Sequence, residues 1–209
     1  METFAPLPQR TDRLAVVHAA HDALRRDLER LAAAAAAGKA RAPHVRAGWE
    51  NFKEQLHLHH QVEDTLLWPR VARAVQGRRA ELGVLAEMEA EHTGIEPLLV
   101  AVDAALEDGG DLVDAVRGLG AGLEMHLRHE EMSALPLAES VLGSEEWRGF
   151  GDSVRRECGA WMTLFVPWIV DGIAPIERSR FLTALPKAVR EHNRLTWEPH
   201  YRKRRLWTV

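Results

Sequence analysis

His59, His60, Glu63 and Asp64 fall within HLHHQVEDTLLWP (57–69), and His126, His129, Glu130 and Glu131 fall within HLRHEEMSALP (126–136). Imidazole nitrogens and carboxylate oxygens in one place suit iron or manganese, whereas zinc favours an isolated tetrahedral set. Each stretch has a glutamate four residues after a histidine, a second acid at five and a proline at ten. On a helix, a four-residue step keeps both side chains on one face. The chain has 11 histidines, and seven of them cluster as His18/His21, His57/His59/His60 and His126/His129.

Four segments with helical apolar spacing must position these groups. The first starts near Thr11 or Asp12, a candidate N-cap, runs to Gly38, and reads Leu14, Val17, His21, Leu24, Leu28, Leu31. The second follows Pro43, reads Val45, Trp49, Phe52, Leu56, His59, Glu63, Leu66, and has Pro69 near its end. The third reads Leu85, Met88, His92, Ile95, Leu99, Val102, Leu106 and closes at Gly109-Gly110. The fourth starts at Asp111 and reads Leu112, Val116, Leu119, Leu123, His126, Glu130, ending near Pro136. Steps of three and four are those of a bundle seam, and short connections make neighbours antiparallel. The expected fold is all-α: an antiparallel up-down four-helix bundle over 11–140, with additional C-terminal helices over 144–209 packing on it.

Every seam carries a histidine where a leucine belongs, and the second and fourth add a glutamate. Burying unpartnered carboxylates and imidazoles is costly. Metal held between the helices gives the six substitutions one explanation. His21 precedes His59 by 38 residues and His92 precedes His126 by 34, so the chain reads as two related hairpins. That is a pseudo-twofold arrangement suited to two ions bridged by two carboxylates.

The pattern resembles the hemerythrin-like, or HHE cation-binding, domain. HDALRRDL (21–28), HHQVEDTLLWP (59–69), EHTGIEPLL (91–99) and HLRHEEMSALP carry the resemblance, in that order, over roughly 11–140. It implies a four-helix bundle with a non-haem centre of two Fe ions, oxo- or hydroxo-bridged. His21, His59, His92 and His126 would be terminal ligands, and Glu63 and Glu130 would bridge. Iron over manganese rests on the resemblance alone. Two departures bear on function. Oxygen-carrying members place a second histidine where this chain has Met88, and an aspartate five residues after the fourth-helix histidine, where this chain has Glu131.

Other polar residues have competing readings. His18, about 60° round the helix from His21, is a further ligand, a donor behind one, or a packed or partly exposed ring; the last is expected. His60, about 100° from His59, is an alternative ligand expected to miss the metal. His129, Asp64 and Glu131 are expected behind the ligands, because ligating histidines hand their far N–H to a carboxylate or carbonyl. His57 is expected at the surface. Glu96, four residues after His92, is either a substitute for the missing histidine or an exposed helix acid, and the second is expected.

Beyond the bundle, Trp147, Phe150, Val154, Cys158, Trp161, Phe165 and Trp168 form one helical stripe from Ser144, read as a fifth helix on the bundle. A shorter helix is expected from about Pro186 to Thr196. Cys158 reads as core. The basic YRKRRLW (201–207) reads as a salt-bridged terminal segment, since a net charge of −4 gives no reason to expect nucleic acid. A single cysteine excludes a disulfide framework or a cysteine-rich metal site. METFAPLPQR lacks a signal peptide's apolar region, and AWMTLFVPWIV is too short to span a membrane, so a cytoplasmic protein without membrane partners is expected, as monomer or homodimer.

Four histidines, two bridging carboxylates and a bridging oxygen leave about two positions open on two six-coordinate ions. The first expectation is a diiron oxidoreductase, peroxidase- or catalase-like or handling nitric oxide, in oxidative or nitrosative stress defence. Its partner is hydrogen peroxide, dioxygen or nitric oxide. The alternatives are a module that binds, senses or stores dioxygen or iron without turnover, and an oxidase of a small organic substrate.

Overall fold

The computed structural model describes residues 14–108 and 110–208, all-helical and without a strand among them. Four long helices form the bundle: α1 (Ala15–Ala36), α2 (Pro43–Val62), α4 (Arg79–Asp108) and α5 (Leu112–His129). α2 and α5 each run on through a π-helical turn, Glu63–Leu67 and Glu130–Ala134, into a short helix, α3 (Trp68–Ala74) and α6 (Leu135–Val141). α7 (Ser144–Cys158), α8 (Met162–Ile169), α9 (Pro175–Ala184), α10 (Lys187–His192), a third π-turn (Asn193–Trp197) and α11 (Glu198–Lys203) complete the chain.

Local signals account for the ends. Gly38 takes φ +67°, the left-handed conformation that stops α1, and Pro43 opens α2 where a missing N–H costs nothing. The Asp111 carboxylate accepts the Asp114 N–H at 3.0 Å and caps α5. The N-cap expected at Thr11 or Asp12 and the turn at Gly109 lie outside the described residues. α1 packs on α2 and α5, and α5 packs on α4.

Each π-turn starts six residues before a proline: Glu63 before Pro69, Glu130 before Pro136, Asn193 before Pro199. Proline has no N–H for the carbonyl four residues back, and its ring crowds that carbonyl. Inserting one residue into the turn relieves both problems, although Pro97 is accommodated inside α4 without such a turn. Such insertions recur at functional sites.

The apolar interior comes in two pieces. The larger contains Leu24, Phe52, Leu56, Ile95, Leu99, Leu123 and residues of α8 and α11. The smaller contains Leu14, Leu67, Trp68, Met88, Leu135 and Trp147. On every bundle helix a histidine stands between them: His21 between Leu14 and Leu24, His59 between Leu56 and Leu67, His92 between Met88 and Ile95, His126 between Leu123 and Ala134. The polar layer divides the core.

The C-terminal third covers α1 and α2 and differs from the single helix expected from Ser144. α7 and α8 are separate, because the chain turns at 159–161, where a Cβ on Gly159 would stand 2.6 Å from the Arg155 carbonyl. The aromatic stripe accordingly divides, with Trp147 in the small core and Phe165 and Trp168 in the large one. The side chain of Cys158 lies outside the described set. The helix expected over 186–196 extends through the third π-turn and α11 to Lys203.

Two contacts fix this cover. The Trp168 indole N–H donates to Asp27, fully buried on α1, at 2.8 Å, while Arg30 joins Asp27 to Asp171. Arg205 and Trp207 take positive φ, uncommon for residues with a Cβ, and lay the Trp207 ring on Gly48 of α2. A Cβ at Gly48 would lie 2.4 Å from that ring, so glycine is required there.

This contact reverses an ordinary rule. Gly48→Ala should destabilise by about 1–3 kcal/mol through overpacking. Gly83→Ala on α4, where a Cβ meets nothing within 4 Å, should stabilise by about 0.5–1 kcal/mol through helix propensity. Chemical denaturation of both variants measures this, and equal shifts of one sign would disprove the Trp207 contact.

Candidate metal centre

The four-residue steps in α2 and α5 place His59 with Glu63 and His126 with Glu130, and antiparallel packing brings His21 and His92 opposite them. Single atoms of His21, His59, Glu63 and Glu130, all buried, lie within 4.8 Å of one another. Single nitrogens of His60, His92 and His126 form a second group within the same limit. His21 Nε2 is 3.1 Å from both His59 Nε2 and Glu130 Oε2. Glu63 reaches both groups, with Oε1 3.2 Å from His59 Nε2 and Oε2 3.7 Å from His92 Nε2.

His60 lies beside His92 and His126. It is 8% exposed, its ring stacks on His92 with centroids 4.0 Å apart, and it stands edge-on to His126. The row Trp49, Phe52, Leu56 continues by four residues to His60, while the row Gly48, Asn51, Gln55 continues to His59. A three-residue step from Leu56 and a four-residue step are equally compatible with a seam, so both histidines are drawn inward. Leu56 four residues before His60 was the signal available in the sequence.

The outer carboxylates are arranged as ligating histidines require. His21 Nδ1 donates to Glu131 at 2.8 Å, and His92 Nδ1 donates to Asp64 at 3.0 Å. His126 Nδ1 donates at 2.9 Å to Glu91, which also accepts from His129 Nδ1 at 2.7 Å. Glu91 was not among the sequence candidates. It reaches His126 only because α4 packs against α5, a tertiary fact that spacing along one helix does not contain. Arg25 closes the outside of His21 by donating to Glu131 at 2.9 Å.

The remaining candidates fall outside the two groups. His18 is exposed, with its ring 6.2 Å from that of His21. His18, His21 and Glu131 can bring one atom each within 4.8 Å, but two of the three are not buried. His57 and Glu96 pair with each other at 3.1 Å on the surface, so Glu96 does not replace a histidine at the centre. Met88 is fully buried apolar core.

Metal-accepting atoms are left without hydrogen bonds. Both oxygens of Glu63 and of Glu130, and the Nε2 atoms of His60, His92 and His126, are buried without a hydrogen bond, and their polar neighbours are one another's rings and carboxylates, as at His21–Glu130 and His59–Glu63. Nearly all buried polar groups are hydrogen-bonded, and this concentration of acceptors facing one another is what a cation resolves. The donors are imidazole and carboxylate, which fit iron.

Without metal the layer is electrostatically divided. Burial opposes charge on His21, but Glu130 and Glu131 outweigh it and raise the ring to about 9. Burial, aided by the neighbouring rings, holds His59 and His60 well below the usual histidine range, and burial lowers His126 as well. Burial and the charge of Glu130 raise Glu63. Below about pH 6.5 the unfolded chain therefore takes up protons that three folded histidines refuse, against the one that Glu63 retains. Above about 6.5 the folded chain keeps a proton on His21, up to about 9, that the unfolded chain releases. Metal-free protein should thus melt highest near neutral pH and lower at both pH 5 and pH 9, with a shallower acid limb in His60→Leu. A flat profile measured by circular dichroism would overturn this electrostatic picture.

No curated protein and no solved structure matches the chain. The hemerythrin HHE cation-binding domain matches residues 12–138, more than half of the sequence, and that span contains every residue of both groups. No helix among the described residues is long and apolar enough to cross a membrane. The chain belongs to the hemerythrin HHE cation-binding family, whose domain binds metal cations, typically iron.

Proposed function

We propose that the protein holds two iron ions, one by His21 and His59, the other by His60, His92 and His126, with Glu63 and Glu130 shared between them. The observation that carries this is the carboxylate of Glu63, whose two oxygens face different histidine groups at 3.2 and 3.7 Å. When bound, the two ions would exchange electrons with a small oxygen- or nitrogen-centred ligand, taking them from one peroxide and returning them to a second.

Five histidines replace the four read from the seams, and they are unequally divided. Three histidines and two shared carboxylates nearly complete a six-coordinate ion, whereas two histidines leave the other ion one donor poorer. The His21–His59 side is therefore where an external ligand binds. Only a small ligand fits, because Leu24, Leu56 and Leu123 close the layer from one side and Met88 and Leu135 from the other.

The surroundings favour reaction over storage. His21 is backed by Glu131 and Arg25, which are 24% and 26% exposed, so a polar, partly wet shell lies behind the two-histidine side. Reversible dioxygen binding needs a dry pocket. We therefore favour a diiron oxidoreductase acting on hydrogen peroxide, with nitric oxide or dioxygen as further ligands, in oxidative or nitrosative defence within the cytoplasm. The second reading is a dioxygen-binding module, and the observation favouring it is His60, a fifth buried histidine stacked on His92 at 4.0 Å.

Purified protein should contain about two irons per chain. His60→Ala and Glu63→Ala should each lower that content, and His57→Ala should leave it unchanged. Diferric protein should consume added peroxide with a transient change in its visible spectrum. Absence of iron in the wild type would refute the assignment. A long-lived dioxygen adduct released intact, with no peroxide consumed, would establish the second reading.

A further inference from the structure

The row of α2 that ends at His59 is polar and is covered by the C-terminal segment. Gly48 lies under Trp207, Asn51 follows at three residues, Gln55 and His59 each at four. Asn51 and Gln55 are 0% and 1% exposed. Asn51 Oδ1 accepts from Arg204 at 2.7 Å, but Asn51 Nδ2 and both amide atoms of Gln55 have no partner. The hydroxyl of Tyr201, a residue only 4% exposed, is also unpartnered.

Outside this row lies a pocket of about 510 Å³ between α8 and α11, whose walls include Leu164, Trp197, His200, Tyr201 and Arg204. Tyr201 and Arg204 thus border the pocket, and Arg204 also reaches Asn51 in the interior. The Arg204 ring contact with Tyr201 (5.8 Å to the centroid) and its bond to Asn51 fix the guanidinium between the two. Polar groups therefore run from a surface pocket through Arg204, Asn51 and Gln55 to within one helical turn of His59.

A packing role does not explain this row. Its neighbours Phe52 and Leu56 show that α2 supplies apolar residues wherever the bundle needs filling. A glutamine buried with both ends unpaired is costly unless something that both donates and accepts hydrogen bonds meets it. Water and hydrogen peroxide have that property, and dioxygen and nitric oxide do not.

We infer that the pocket between α8 and α11 is the outer mouth of a hydrogen-bonding route, Arg204–Asn51–Gln55, that passes water and hydrogen peroxide to the His21–His59 side of the centre. The inference rests on the two-ion reading above and deepens it, since it selects a hydroperoxidic substrate over an apolar gas. Gln55 and Asn51 belong to neither group of candidate ligands, and in this role they are positioning residues for the incoming molecule.

The test uses full-length Gln55→Leu, with Asn51→Leu as a second variant should the first fold poorly. In iron-loaded protein, the rate of reaction with hydrogen peroxide should fall by about tenfold, the loss of one or two hydrogen bonds. The association rate of nitric oxide and the iron content should stay as in the wild type. In crystals of metal-free protein, ordered water should occupy the Gln55 amide of the wild type and be absent from the leucine variant. Unchanged peroxide kinetics, equal slowing of both probes, or a dry Gln55 in the wild type would each overturn the route. If the wild type takes up no iron, the two-ion reading fails, and the water beside Gln55 still decides the route.

Discussion

The cost of holding charge and polarity inside an apolar bundle governs this protein. Seven side chains, five imidazoles and two carboxylates, face one another between two hydrophobic pieces of core. Left to themselves they resolve the conflict with protons. His21 keeps its proton between Glu130 and Glu131, Glu63 is pushed toward its neutral form, and His59 and His60 are held neutral. A divalent or trivalent cation would replace this mixed state with one in which every imidazole is neutral and both carboxylates are charged. The outer carboxylates of Asp64, Glu91 and Glu131 favour that state by fixing which nitrogen of His92, His126 and His21 points inward.

The rest of the fold follows from having to brace such a layer. The polar layer interrupts the seam, so neither piece of core alone spans the bundle. The large piece gains α8 and α11, and the small one gains Trp147 from α7. The anchors of the cover are polar or steric: the Trp168 indole on buried Asp27, and the Trp207 ring on Gly48. They seat the C-terminal third on the outer faces of α1 and α2, the two helices that carry His21 and His59.

Much of the architecture was legible because seam spacing is a strong constraint. A histidine three or four residues from leucines on both sides must share their face, which is why His21, His59, His92 and His126 were identifiable from sequence. His60 was not singled out because a seam tolerates steps of three and four alike, and only the packed structure shows that both faces of α2 are covered. Glu91 was hidden for another reason: its partner lies 35 residues away on a facing helix. The stripe from Trp147 to Trp168 has perfect helical period across a break. Periodicity reports which residues are buried, and it does not sense the turn at Gly159, where the backbone passes too close to the Arg155 carbonyl for any residue with a Cβ.

The third π-turn bears on how the centre comes to exist. It begins at Asn193 and precedes Pro199 by the same six residues as the turns at Glu63 and Glu130. Val189 stands four residues before it, where the other two have His59 and His126. A stretch with no histidine–glutamate pair thus adopts the same backbone. The backbone of this turn therefore does not depend on a histidine–glutamate pair, and a proline is not enough to produce it, since Pro97 lies inside α4 without such a turn. On the two-ion reading, the donors would stand on a backbone that the chain also builds without them, and selection among ions would fall to the size and charge of the gap.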